Sequence, residues 1–413
     1  MPWMARRCVP EPTSGPSRRL EQLDSLRGLA ALSVLGHHFL FVFPAMVSGS
    51  GPYWLLARTP LAIFVAGQQA VIFFFVLSGF VLAIPFLRGP VVYLPFVWRR
   101  VCRIWIPYAI AVSTAMVCYQ LFSRNGIPGL SSWFNSTWTT PISAGLIGDH
   151  FILVDSFKNG VFAPVIWSLV VEMRLSLVFP LLMLLALRAN WRVTLAAAWV
   201  ASFGSFVLYG HLRRHAGWSN DSLLTVHYAT IFVIGILLCR HRSALQERYR
   251  GLSKRMKWAL ALFSVLCYTY PYWFFSHSAL PHLGGVDDLI TAAGVAGFIV
   301  MALESSRTKS WLVREPILRL GKISYSLYLW HTIVLLSMVN LLYGVIPLWT
   351  ILIAAAMITL LVSNLSYEYI ERPAIRLGYS GSSKLQQIWL KDPVLSGASG
   401  GPVSAAESDG PRH

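Results

Sequence analysis

Charge is scarce in this chain of 413 residues: 12% are Asp, Glu, Lys or Arg, against 55% apolar residues. With a mean hydropathy of +0.58, that shortage excludes a string of ordinary soluble domains. Cysteine is sparse too. The five cysteines, Cys8, Cys102, Cys118, Cys239 and Cys267, form no CxxC pair, which argues against a zinc site or a disulfide framework, so no metal is expected. The first 20 residues lack the continuous apolar stretch and small-residue cleavage site of a secretory leader. With Pro2, Pro10, Pro12, Pro16 and four arginines, they read as a disordered basic arm.

What the chain has in quantity is apolar runs of about 20 residues, long enough at ~1.5 Å per residue to cross a ~30 Å hydrocarbon core. Ten runs fall at roughly 26–46, 68–87, 104–122, 164–187, 192–210, 223–240, 257–275, 286–303, 322–342 and 346–369, bounded by charged or Gly/Pro-rich turns. The expected fold is an all-α polytopic membrane protein with about ten transmembrane helices and both termini cytoplasmic. A shorter run, 142–154, holds Asp149 and His150 and reads as re-entrant or interfacial. The organisation expected is a basic arm over 1–20, a transmembrane domain over 21–376 and a disordered tail over 377–413. That tail is rich in Ser and Gly and contains Pro393 and Pro402.

A formal charge of +17 in a soluble protein would suggest nucleic acid, so the position of the basic residues decides its meaning. With the N-terminus inside, the outer loops hold only Arg58, Arg124, Lys158, Arg213 and Arg214. The inner loops take all the other Lys and Arg outside the spans, as the positive-inside rule requires. The charge is therefore topological, with attraction to anionic membrane lipids as a secondary effect. Nucleic acid is not an expected partner, and the location expected is the cytoplasmic or inner cell membrane, crossed many times.

Ionisable groups inside a span are costly and are functional candidates by default. His38, Glu172 and His331 lie at similar depths, roughly 18, 12 and 13 Å from the ends of their own spans, so two imidazoles and a carboxylate are expected to meet near the midplane. Arg27 and His38 are eleven residues apart, which at ~100° per residue returns to within about 20° of one helical face. Asp24 lies about 40° off that stripe, whereas His37 is rotated by about 100° and is expected to pack against a neighbouring helix. Snorkelling for Arg27, helix packing for His38 and His331, and structural ion pairs for Glu172 and Arg174 are the plain alternatives. In the second span Ser78 and Gly79 place small residues where a helix or ligand can come close. Arg99, Arg100 and Arg103 open the third span as a basic cluster suited to a diphosphate or to anionic lipid.

These pieces together resemble the membrane acyltransferase 3 family, whose members include O-acetyltransferases of exported polysaccharides. The run LDSLRGLAA over 23–31 leading to His38-Phe39 resembles the family's opening, and FFFVLSGF over 73–80 its second-helix motif. Arg99-Arg100-Val101-Cys102-Arg103-Ile104, ending in Pro107-Tyr108, resembles its third-helix start; WSLVVE over 167–172 resembles its WSL-x-VE element. ISYSLYLWH over 323–331 resembles the SYSLYLWH element, and Glu371-Arg372-Pro373 its closing motif. Most of 20–376 is covered. One departure is that Met173 and Arg174 stand where an acidic or Gln residue often follows the glutamate.

The resemblance implies an integral membrane O-acyltransferase. It would move an acetyl or other short acyl group from cytoplasmic acyl-CoA, acetyl-CoA first among the donors, to a hydroxyl of a carbohydrate, glycolipid or small-molecule acceptor, with no permanently bound cofactor. By resemblance catalysis falls on Arg27 and His38, the pair that the stripe also singles out. His38 would act as base, with Glu172 or Asp24 orienting its ring and Arg27 holding the donor. Arg99, Arg100, Arg103, Ser78, Tyr328 and His331 are the further substrate- or donor-binding candidates. A proton-coupled transporter uses similar midplane groups, but the two halves of the chain share no repeated motif. A scaffold for other envelope enzymes is the third reading.

Overall fold

In lipid every backbone polar group needs a partner within the chain, and a helix supplies it from its own segment. The computed structural model describes residues 20–48, 59–124, 126–155, 160–216, 221–274 and 285–391, with Leu56 and Lys158. Apart from Leu20, the expected basic arm lies outside the described residues.

Each of the ten apolar runs forms a long helix: α1 (Glu21–Leu40), α2 (Gly67–Arg88), α3 (Tyr93–Phe122), α4 (Ile166–Arg188), α5 (Trp191–Ala216), α6 (Ser222–Arg240), α7 (Lys254–Phe274), α8 (Val286–Glu304), α9 (Ser324–Leu342) and α10 (Leu348–Ser366). Among the described residues there is no β-strand. Eight of these helices are long and apolar enough to cross a membrane on length and composition alone. The other two, α1 with 20 residues and α7 with 21, match them in length but are less apolar. In α1 the polar residues include Asp24, Arg27, His37 and His38, so the helix that carries the candidate site is the one with a weakened membrane signal. The 142–154 run becomes a helix of 9 residues, Ala144–Ile152, capped by Ser143. At about 14 Å it is too short to cross.

Helix α9 is the most enclosed of the eight spans and α5 the most exposed. Around α9 pack α1, α3 and α10, while α1 also leans on α2 and on a short inner helix, Glu315–Lys322. Glycine sets how closely two helix pairs approach, α2 with α6 and α1 with the short helix. A Cβ on Gly235 of α6 would lie 2.0 Å from the Val76 carbonyl oxygen, and one on Gly79 of α2 would lie 2.2 Å from that of Phe232. On α1, a Cβ at Gly28 would sit 2.6 Å from the Gly321 backbone nitrogen. Overpacking of this kind costs about 1–3 kcal/mol, so Gly235→Ala is expected to lower the thermal midpoint of the detergent-solubilised protein. Gly204→Ala on α5, where nothing lies within 4 Å, is the matched control, and equal midpoints for the two variants would refute this packing.

The inner end departs from the sequence reading. Instead of a free tail from 377, the chain passes from α10 through a π-turn, Tyr367–Glu371, into α11 (Arg372–Lys391), which packs along α3. Ala374, Gly378 and Ser382 are buried at helical spacing. A Cβ on Gly378 would touch Cys102 and Arg99, and one on Gly381 would touch Trp98. The Ser and Gly content that suggested disorder is thus a close-contact face. Only the part of the expected tail beyond Lys391 lies outside the described residues.

Candidate active site

Five helices converge on one cavity near the inner side of the bundle. Its wall takes Arg27 from α1, Phe74 and Ser78 from α2, Arg100 and Arg103 from α3, Ser168 and Glu172 from α4, and Ser324, Tyr325 and Tyr328 from α9. Glu172 organises one side. Its Oε1 accepts from Arg100 Nη2 at 2.7 Å and from Ser78 Oγ at 3.3 Å, while Arg100 Nε donates to Ser176 Oγ at 3.1 Å. Both partners are largely enclosed, at 11% and 20% side-chain exposure, where a charge without its counterpart is expensive. Arg27 is steadied one turn back by Asp24, 2.8 Å away. Arg103 makes no hydrogen bond or ion pair among the described residues and faces the same space. Three guanidinium groups line the wall, with Asp24, Glu172 and buried Glu371 as the carboxylates acting on them, and their planar N–H forks are well shaped for a phosphorylated anion.

Beyond this cavity lies a pair of histidines. His331 is fully buried. Its Nδ1 sits 3.1 Å from the Leu327 carbonyl oxygen and its Nε2 sits 3.1 Å from His38 Nδ1, which is itself 3.1 Å from the Val34 carbonyl oxygen. A carbonyl only accepts, so each Nδ1 carries the proton and donates. His331 Nε2 is then an acceptor toward His38, and His38 Nε2 is left with a free lone pair. The arrangement selects one tautomer for His38, with the lone pair on Nε2. His37 turns the other way, to the Val65 carbonyl oxygen at 2.9 Å and onto Gly67.

The two groups are separate in the structure. Arg27 and His38 share a face of α1, but they are about 16 Å apart along its axis, and the cavity reaches Arg27 and not His38. Tyr328 stands between them. Its hydroxyl is 2.6 Å from Ser168 Oγ on the cavity wall, and its ring is 5.9 Å from that of His331. Neither expected carboxylate orients the imidazole: Asp24 is held by Arg27 and Glu172 by Arg100, each being one helix turn or more nearer the inner side. Depth alone placed Glu172 with the histidines; the strong pull of Arg100 from α3 decides its actual partner. Arg99, another expected donor ligand, lies off the cavity, with its guanidinium 6.0 Å from the Tyr379 ring centroid on α11. Arg174 is a structural tie, bonded to Asp221 at 3.1 Å and to the Val154 and Asp155 carbonyls. Sequence reasoning did not single out Ser168 or Tyr325, although both lie within quoted motifs. Nor did it single out Trp133, whose ring is 5.4 Å from that of His38.

A family model described as an acyltransferase domain matches residues 20–368. Nodulation protein 10 of Rhizobium leguminosarum bv. viciae is 23% identical over 319 residues, which cover 74% of this chain and 82% of that protein. O-acetyltransferase OatA of Staphylococcus aureus is 23% identical over 409 residues, covering 88% of this chain and 58% of OatA. Peptidoglycan O-acetyltransferase OatA of Listeria monocytogenes serovar 1/2a is 23% identical over 397 residues, 90% of this chain and 59% of that protein. This chain therefore spans little more than half the length of the OatA proteins. No solved structure matches it significantly.

Proposed function

The chain belongs to the acyltransferase family that matches it from residue 20 to 368, and from that premise we propose that it is a membrane O-acyltransferase working with a cytoplasmic acyl-CoA donor. The observation that carries this reading is the cavity with Arg27, Arg100 and Arg103 on its wall, next to the histidine pair. Acetyl-CoA is the donor proposed, with its phosphates held by the three arginines and its thioester end directed toward Tyr328. The acceptor proposed is a hydroxyl of an envelope or exported carbohydrate, in line with the name of the Listeria relative, a peptidoglycan O-acetyltransferase. No permanent cofactor takes part, and the membrane is the cytoplasmic or inner cell membrane.

In the transfer step His38 Nε2 takes the proton of the acceptor hydroxyl as the oxygen attacks the thioester carbonyl carbon. The new C–O bond forms and the C–S bond breaks. The departing thiolate takes the proton back from the imidazolium and leaves as free thiol. His331 holds the other His38 nitrogen throughout, and the acyl group has to pass the Tyr328 ring to reach the base.

Purified protein incubated with acetyl-labelled acetyl-CoA tests this. Thiol release that rises when glycan is added, with label recovered on the glycan, is the expected result; no thiol release and no labelled hydroxyl compound would overturn it. Arg27→Lys keeps the charge but loses the fork, and is expected to raise the donor KM about tenfold, equivalent to ~1.4 kcal/mol. An unchanged donor KM would assign Arg27 to interfacial snorkelling instead.

A further inference from the structure

Trp133 lies outside the cavity and outside every motif quoted above. It belongs to a single helical turn, Ser132–Asn135, in the connection between the outer ends of α3 and α4, so it meets His38 from the side opposite the arginines. Buried Ser131 fixes this turn. Its backbone N–H donates to the Val42 carbonyl at 3.0 Å, its Oγ donates to the Phe41 carbonyl at 2.5 Å, and the same Oγ caps the turn by accepting from Phe134 N–H at 3.1 Å. Asn135 adds a further tie, its Oδ1 accepting from Ile127 N–H at 2.8 Å. The turn therefore holds the indole in place, 5.4 Å from the His38 ring at 36° and 6.1 Å from the Phe41 ring at 90°.

A tryptophan kept for packing buries its face and bonds its N–H. Trp138, five residues on, does both: it is 4% exposed and donates to the Phe162 carbonyl at 3.0 Å. Trp133 is only partly buried against the core, and its N–H has no acceptor among the described residues. Beside it stands the His38 ring, whose Nε2 carries the free lone pair.

We propose that Trp133 is the acceptor platform of the enzyme: a carbohydrate ring lies against the accessible part of the indole and accepts a hydrogen bond from the indole N–H, and a neighbouring hydroxyl is thereby brought to His38. The flat apolar face of a sugar ring and its equatorial hydroxyl edge match the two halves of the indole, apolar surface and donor. An acyclic polyol has the hydroxyls without the face. The assignment rests on the acyltransferase reading above and adds the acceptor's binding site to it.

The test compares two acceptor probes, tetra-N-acetylchitotetraose and sorbitol, on the purified full chain with acetyl-CoA as donor. Slow acetyl-CoA hydrolysis without acceptor is measured in parallel. Wild type is expected to favour the chito-oligosaccharide. Trp133→Ala is expected to cut that preference at least tenfold through the acceptor KM, leaving the donor KM unchanged, while Trp133→Phe retains most of it. No preference in wild type, an unchanged ratio in Trp133→Ala, or an equal fall in hydrolysis and transfer together with a lowered midpoint would each overturn the platform. Failure of the wild-type protein to release thiol from acetyl-CoA under any condition would instead remove the acyltransferase reading on which the platform depends.

Discussion

Replacement of His38 by alanine is expected to lower acyl transfer by at least about 100-fold while the protein still folds and reaches the membrane in normal amount. A positioned general base contributes roughly 10²–10⁴-fold, about 3–5 kcal/mol of barrier at ~1.4 kcal/mol per decade. Within the histidine pair only His38 Nε2 has a free lone pair, because His331 donates from Nδ1 and spends Nε2 on His38. His331→Ala leaves the base present but frees its ring to turn, so its loss should be smaller and should come with a changed pH profile. Rate and thermal midpoint measured together separate chemistry from folding; turnover within about twofold of wild type in His38→Ala would remove this residue from the reaction.

The second large effect is on stability. Glu172→Ala is expected to destabilise the bundle by on the order of 3 kcal/mol, because it leaves the enclosed Arg100 without its counter-charge and also removes the acceptor of Ser78. Arg100→Ala should be similarly harmful. The combined change Arg100→Met with Glu172→Leu exchanges the pair for apolar groups of comparable size and should recover most of the midpoint. Donor binding should not recover, since the cavity would retain only Arg27 and Arg103. A single Glu172→Ala variant that melts with wild type would show that the ion pair carries no weight in the fold, and a double variant with normal donor KM would show the same for binding.

Helix periodicity and charge placement made the bundle legible in advance, because both depend on the chain near each residue. The Arg27 and His38 face of α1 is of this kind, and so is the outward turn of His37. What could not be read was which helix each group would meet. Arg100 and Glu172 stand 72 residues apart and His38 and His331 stand 293 apart, and no local pattern encodes such a pairing. Depth estimates put Glu172 beside the histidines, yet a cationic partner on α3 holds it nearer the inner side. The Ser and Gly residues of α11 misled for a different reason. Composition reads them as failing to bury surface, whereas Ala374, Gly378 and Ser382 let two backbones come together. Trp133 carried no local signal, since its meaning arises only once a loop folds back on α1.

The fastening of α1 has a consequence for how the enzyme must move. Gly28 lies against Gly321 at the inner end, and Ser131 grips the Phe41 and Val42 carbonyls at the outer end. Held at both ends, α1 keeps its imidazole at one depth, so under the proposed mechanism the substrates have to come to it. On the proposed reaction the acyl group then has to travel to it past the Tyr328 side chain of α9, which lines the cavity and lies against His331.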